Sequence, residues 1–293
     1  MILRILLLTV VVGALMMPSM AQADFNPEER VAVQLYVFGQ PAQKPGPDLE
    51  GVLETVTACG YSQIQAWLSY FDTEESAATL KEQLDRHGLR IPAAYTGAKL
   101  HVQEGAEAVI EEIVRKAKIG AKQGLVVVVV NPDLIGREKT DEELALQSEN
   151  LEKLGGLLSK QGQYLAIHQH APEMANGARE WYHILHHTSG DKVFFCLDTH
   201  WVLRGGQDPY QLTRDCADRL VDLHLRNSKE GPWAESFGEG DIDYRKVAEI
   251  LKESGYRGLL TVELAHEKET VVTKSLEENL KASREYVREV FGE

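Results

Sequence analysis

Apolar, β-branched-rich runs recur along the chain at Val31–Phe38, Gln63–Trp67, Ile91–Tyr95, Leu125–Val130, Tyr164–Gln169, Val193–Asp198, Leu220–Leu225 and Leu259–Glu263. Most are continuously apolar rather than alternating, the pattern of parallel strands covered on both faces. Segments of helical periodicity lie between them. Asp48–Ala58 comes first, then Thr73–His87 ending at Gly88 and Glu104–Gln123 ending at Gly124. Thr140–Gln161 opens with Thr140 and Glu143 at capping-box spacing and stops at Gly162. Asn176–Thr188 and Tyr210–Asp218 carry weaker patterns, and Asp243–Ser254 stops at Gly255. The last segment, Ser275–Phe291, pairs Ser275 with Glu278 as a second box and presents an apolar stripe at Leu276, Leu280, Val287 and Phe291.

Eight strand-then-helix units, roughly 30 residues apart, predict an α/β chain folded as a single (β/α)8 TIM barrel. A doubly wound open sheet is the rival. It calls for a glycine-rich phosphate loop after the first strand, and Gly39-Gln40-Pro41 stands there instead of GxGxxG. The long stretch Asn227–Asp241, with Gly231, Pro232, Gly238 and Gly240, follows the seventh run and is expected to overhang the mouth of the barrel. No linker-like or low-complexity stretch divides the chain.

The N-terminus reads differently. Arg4, the apolar run Ile5–Met17 and the small-x-small triplet Ala21-Gln22-Ala23 have the layout of a secretory signal peptide over residues 1–23, with cleavage before Asp24. The apolar run is shorter than the roughly 20 residues a spanning helix needs. The expectation is an exported, periplasmic protein whose barrel occupies 24–293, with no membrane contact after cleavage. The formal net charge is −14, and loss of Arg4 with the leader makes it more negative still. That balance disfavours nucleic acid and anionic membranes as partners. Cys59, Cys196 and Cys216 include no CxxC pair, so they read as small buried residues, although an oxidising compartment would permit one disulfide.

In such a barrel the chemistry sits at the C-terminal ends of the strands. Those ends supply Gln34 and Tyr36, Gln65 and Trp67, Tyr95, and Asn131. The fifth gives His168, His170 and Glu173; the sixth, Asp198 and His200; the seventh, His224 and Arg226; the eighth, Glu263. Singly, each has an ordinary explanation as a hydrogen-bonded polar residue or a helix cap. Four consecutive strand ends bearing His168, Asp198, His224 and Glu263 predict a divalent metal site. Mixed imidazole and carboxylate donors suit Mn2+, Zn2+, Co2+ or a similar first-row ion, whereas carboxylates alone would suit Mg2+ or Ca2+. Mn2+ is the ion expected, with Zn2+, Co2+ or Mg2+ as alternatives. His183, His186 and His187 lie on a predicted helix away from the rim and read as surface or packing residues.

At this point the chain resembles the xylose isomerase-like TIM barrels, in the branch of sugar phosphate isomerases/epimerases that includes ketose 3-epimerases and inosose dehydratase. The resemblance runs from about Val31 to the C-terminus. It is carried by Val33-Gln34-Leu35-Tyr36, Gly60-Tyr61, the HxHxxE stretch of His168, His170 and Glu173, and Leu197-Asp198-Thr199-x-Trp201. It continues through Gly206-Gln207-Asp208-Pro209, Asp222-Leu223-His224-Leu225-Arg226, Gly238-Glu239-Gly240-Asp241-Ile242-Asp243 and Glu263. It implies a metal held by one residue from each of strands five to eight, usually Glu, Asp, His and Glu. Here Asp198, His224 and Glu263 match, and His168 stands where the fifth-strand glutamate is usual. Gln65 also stands where many relatives have Glu. The two-glutamate pair that serves the epimerases is therefore incomplete unless Glu173 folds back.

The chemistry expected is proton abstraction beside a carbonyl, with metal stabilisation of an enediolate. Glu263 is the candidate base, and His170 or Glu173 returns the proton. Tyr36, Trp67, Tyr95, Asn131, Arg226 and Lys229 are candidate substrate contacts for a small carbohydrate, with Trp201 and Trp233 as further stacking surfaces. Return of the proton to carbon gives a sugar isomerase or epimerase acting on a free sugar or keto-sugar. Departure of a β-oxygen gives a lyase or dehydratase of a 3-keto-glycoside or cyclitol. A non-catalytic sugar-binding barrel is the third reading.

Overall fold

The computed structural model describes residues 30–293; the expected signal segment and its cleavage point lie outside them. Eight parallel strands close in sequence order: β1 (Val31–Gln34), β2 (Gln63–Trp67), β3 (Arg90–Ala98), β4 (Val127–Pro132), β5 (Tyr164–Ile167), β6 (Val193–Asp198), β7 (Leu220–Leu225) and β8 (Leu259–Val262). Closure is made by β8 against β1, with Ala32 opposite Thr261. The expected barrel is the observed one.

Around it run α1 (Pro47–Ala58), α2 (Glu74–His87), α3 (Ala106–Ala121), α4 (Asp141–Ser159), α5 (Ala175–His187), α6 (Thr199–Arg204), α7 (Pro209–Asp215), α8 (Tyr244–Glu253) and α9 (Leu276–Phe291). Both expected capping boxes form, Thr140 with Glu143 and Ser275 with Glu278. A third, Thr73 with Ser76, escaped the sequence pattern because serine replaces the usual Glu or Gln. None of the helices among the described residues is long and apolar enough to cross a membrane.

The strands sort their side chains by the two-residue period. Val128, Val130, Leu197 and Leu260 face the helices, whereas Ala93, Val127, Val129, Ala166, Cys196 and Leu259 fill the barrel interior. Continued along the same faces, this interior set becomes Tyr95, Asn131, His168, Asp198 and Glu263 at the C-terminal ends. A register shift between β6 and β7 sets Cys196 opposite Asp222 and Asp198 opposite His224. An irregularity of this kind re-aims side chains, and here it brings the sixth- and seventh-strand polar groups side by side.

Two expectations need correction. The first run was expected to be a strand through Phe38, but β1 ends at Gln34, whose side-chain oxygen accepts the Tyr36 N–H and turns Leu35–Phe38 into a 3-10 turn. Tyr36 therefore stands on the rim, 57% exposed. The helix expected from Asn176 opens with a left-handed turn over Asn176, Gly177 and Ala178. All three cysteines are buried and free.

Candidate active site

His168 and His224 are nearly inaccessible, Asp198 is fully buried, and the Glu263 side chain is 13% exposed. One donor atom from each of the four lies within 4.8 Å of the others, so the strand ends converge as the sequence predicted. Each of these side chains is held from behind. His168 Nδ1 lies 3.1 Å from Asn131 Oδ1. Its Nε2 has no hydrogen-bond partner and faces Asp198 Oδ2 at 4.0 Å. The Oδ1 atom of Asp198 caps α6 by accepting the Trp201 N–H at 2.8 Å, and Oδ2 accepts from Arg226 Nη2 at 2.5 Å.

His224 Nε2 lies 2.9 Å from Gln65 Oε1. Its Nδ1 comes within 2.6 Å of Glu263 Oε2 without hydrogen-bond geometry, as when two donors point toward a shared third point rather than at each other. A buried imidazole nitrogen without a partner is costly. Two of them, converging with two carboxylates, make the donor set that a first-row divalent cation takes.

Charge in the site is unevenly spread. Burial, helped by His224 and His170, pulls His168 well below the usual imidazole range. Burial acts the same way on His224, but Glu263, Asp222 and Asp198 outweigh it and raise that imidazole. Burial would raise the Glu263 carboxyl, yet Arg226 and His224 hold it well below the carboxylate range. Arg226, expected near the mouth as a substrate contact, does border the cavity above the site but is clamped in place. It is 3% exposed, bound to Asp198, 3.7 Å from Glu263, and flanked by the rings of Trp201 and Trp233 at 4.9 and 4.6 Å.

Above these four residues lies a cavity of about 190 Å³, lined by Gln34, Tyr36, Trp67, Tyr95, His168, His170, Trp201, His224, Arg226, Trp233 and Glu263. It is smaller than pockets for drug-sized molecules, which run to roughly 300–1,000 Å³. Tyr36, Trp67 and Tyr95, three of the expected substrate contacts, line this cavity, and His170 joins them. Its ring packs edge-on to His168 and Trp201, and burial lowers its pKa.

Three predicted site residues lie elsewhere. Lys229 is exposed on the loop after β7 and does not line the cavity. Asn131 sits behind His168. Glu173 does not fold back: its Oε1 accepts from Asn131 Nδ2 at 3.1 Å and its Oε2 from the His170 backbone N–H at 3.1 Å. Burial pushes its carboxyl up to about 7.

A larger cavity, about 390 Å³, borders Glu173 on the far side, between the loops after β4 and β5. Its cations are already matched: Lys139 with Glu180 at 2.6 Å, Arg137 with Glu143 at 2.7 Å and Arg179 with Asp141 at 2.5 Å. The reactive groups therefore converge in the smaller cavity. His183, His186 and His187 are engaged on α5, with His183 bonded to Ser148 and stacked on His187, and His186 stacked on Tyr182.

The sequence reading gave no role to Asp222 and Thr261, both fully buried in the barrel interior. Asp222 accepts from Gln65 Nε2 and from Thr261 Oγ1, each at 2.7 Å. The available signal was the strand period: two residues back from His224 and from Glu263 is the same interior face.

The loop over the mouth is tied down by its own ends. Asn227 Nδ2 donates to the Gly238 and Ile242 carbonyls, and Asp241 accepts from Ser228 Oγ and the Gly231 N–H. It delivers Trp233, whose backbone N–H is held by Glu267.

Among curated proteins, an inosose dehydratase from Clostridium perfringens is 25% identical over 241 residues, covering 72% of this chain and 80% of its own. Among solved structures, a sugar phosphate isomerase/epimerase from Parabacteroides distasonis superposes with a TM-score of 0.74 at 21% identity, covering 93% of this chain and 98% of the other. D-psicose 3-epimerase from Clostridium cellulolyticum, solved with D-tagatose, does so with a TM-score of 0.73 at 15% identity, covering 89% and 99%. The structural likenesses show the shared barrel. The family model for the xylose isomerase-like TIM barrel matches residues 53–290, and the chain belongs to that family.

Proposed function

We propose that this protein is a metal-dependent sugar isomerase or epimerase acting on a small free sugar or keto-sugar outside the cytoplasm. The observation that carries the reading is the convergence of His168 Nε2, Asp198, His224 Nδ1 and Glu263 beneath a small aromatic-walled cavity. Those four residues would hold the ion, taken here as Mn2+, since two imidazoles and two carboxylates suit a first-row divalent metal. Such an ion supplies Lewis-acid stabilisation of the negative charge that develops when a proton leaves the carbon beside a carbonyl.

Glu263 is the one carboxylate facing the cavity and accepts that proton. His170, also in the lining, is the group placed to give a proton back. Trp67, Trp201 and Trp233 wall off water and offer faces to a sugar ring, while Gln34 and Tyr95 present hydrogen-bonding groups to hydroxyls. Export rests on the N-terminal pattern alone and favours unphosphorylated substrates.

A second reading, lyase or dehydratase action, draws on a specific observation. Glu173 is turned away, so the cavity has one carboxylate base rather than two, and the relatives named inosose dehydratase catalyse a reaction of that class. The discriminating experiment incubates free and 3-keto sugars with the Mn2+-loaded protein in D2O and follows them by NMR. Deuterium at the carbon beside the carbonyl without loss of oxygen supports isomerisation, and loss of a β-oxygen supports elimination. Bound sugar with neither outcome would refute both and leave a binding protein.

A further inference from the structure

Each of the two metal-site histidines is backed by a side-chain amide, and each amide is backed by a buried carboxylate. On β7, Asp222 is surrounded by donors: Thr261 Oγ1 on one oxygen and Gln65 Nε2 on the other, both at 2.7 Å. A carboxylate only accepts, so it turns the NH2 of Gln65 toward itself and leaves Oε1 facing His224 Nε2 at 2.9 Å. That oxygen also only accepts, so His224 must carry its hydrogen on Nε2. The nitrogen left to bind an ion is then Nδ1, on the side of Glu263.

The second arm repeats the logic with the nitrogens exchanged. Asn131 Nδ2 donates to the Pro132 carbonyl at 2.8 Å and to Glu173 Oε1 at 3.1 Å, so Oδ1 faces His168 Nδ1 at 3.1 Å. His168 must carry its hydrogen on Nδ1, and its lone pair is on Nε2, the atom without a partner. Gln65, Asp222 and Asn131 do not line the cavity and cannot meet substrate.

We propose that Asp222–Gln65 and Glu173–Asn131 are two positioning relays that fix opposite imidazole tautomers, so that the ion is bound through Nδ1 of His224 and Nε2 of His168. The relays give Glu173 a role other than proton transfer, and they explain why a barrel interior holds a buried amide–carboxylate pair at all. Outer partners of this kind typically change metal affinity 10- to 100-fold when removed. The proposal rests on the metal site but on no particular substrate.

The test uses the full mature chain loaded with Zn2+, a diamagnetic probe, and long-range proton–nitrogen NMR of its histidines. One ring ligated through Nδ1 and another through Nε2 is expected, assigned by His168→Ala and His224→Ala; ligation of both through Nε2 would overturn the proposal. Calorimetric titration with Mn2+ then compares wild type with Gln65→Met and Asn131→Leu, each checked for an intact fold by circular dichroism. Affinity should fall at least 10-fold in each. Variant affinities within about threefold of wild type would sink the relays while leaving the metal site standing. A wild-type chain that binds no ion would remove both, and since no step uses substrate, absent isomerase activity bears only on the proposed function.

Discussion

The Asp198–Arg226 pair offers the sharpest energetic test of how the site is built. Asp198 is fully buried and Arg226 is 3% exposed, with 2.5 Å between Oδ2 and Nη2. Removing one member of a buried pair strands the other charge and costs about 3–5 kcal/mol, whereas replacing both with groups of similar volume is close to neutral. Arg226→Met keeps apolar contact with Trp201 and Trp233 but leaves Asp198 with the Trp201 N–H as its only strong partner. Asp198→Asn keeps that capping bond and strands the guanidinium beside Glu263.

Each single variant, stripped of metal with EDTA, should therefore unfold in urea about 3–5 kcal/mol earlier. At about 2 °C per kcal/mol for a chain of this size, that is a melting point lower by about 6–10 °C. The double variant should recover most of the loss, giving a coupling energy of at least about 2 kcal/mol. If the two effects simply add to within about 0.5 kcal/mol, the pair is not the joint unit described here and the reasoning fails.

The same Arg226→Met change should tighten Mn2+ binding in calorimetry while it lowers stability, because it removes a positive charge beside two carboxylates; weaker binding would contradict the charge map. Chelation of wild type should abolish proton exchange at the substrate carbon and lower the melting temperature, and Mn2+ at 100 times its Kd should restore about 2.7 kcal/mol, read by calorimetric melting. Glu173 has a folded-state pKa of about 7, raised above the ordinary 4.5 by burial. Its stabilising contribution is complete below 4.5 and fades as pH rises through 7, a decline of about 3 kcal/mol. Glu173→Gln should flatten that slope in urea titrations at pH 4.5 and pH 8, and an unchanged slope would assign the decline elsewhere. A β-carbon at Gly240 would come 2.1 Å from the Ser228 carbonyl oxygen. Gly240→Ala should displace the Trp233 loop and raise KM for sugar with little change in Mn2+ affinity by calorimetry.

The sequence carried the barrel well because its signals are repetitive. Continuous apolar runs such as Val127–Val130 separate strands buried on both faces from amphipathic helices, and eight repeats reinforce one another. The convergence of His168, Asp198, His224 and Glu263 was legible for a related reason, since strand ends converge in a closed ring whatever the loops do. What stayed hidden depends on geometry within a few ångströms. Arg226 lies two residues after His224, just past the end of β7, and nothing in its neighbours along the chain distinguishes a solvated charge from one clamped between two indoles. Glu173 sits three residues after His170, near enough in sequence to suggest a folded-back base, yet its oxygens are taken by Asn131 and a backbone N–H. The Asp222–Gln65 contact joins positions 157 residues apart, beyond any local pattern.

The loop that brings Trp233 to the mouth is stapled by Asn227 and Asp241 at its base, mostly to atoms of its own segment. Its middle can be rewritten between those staples, and the change is felt in the cavity through Trp233, whose ring lies 4.6 Å from the Arg226 guanidinium, while the strands beneath keep their own pairing. New specificities on this scaffold are therefore within reach of single-loop grafting, with no re-engineering of the barrel that carries it.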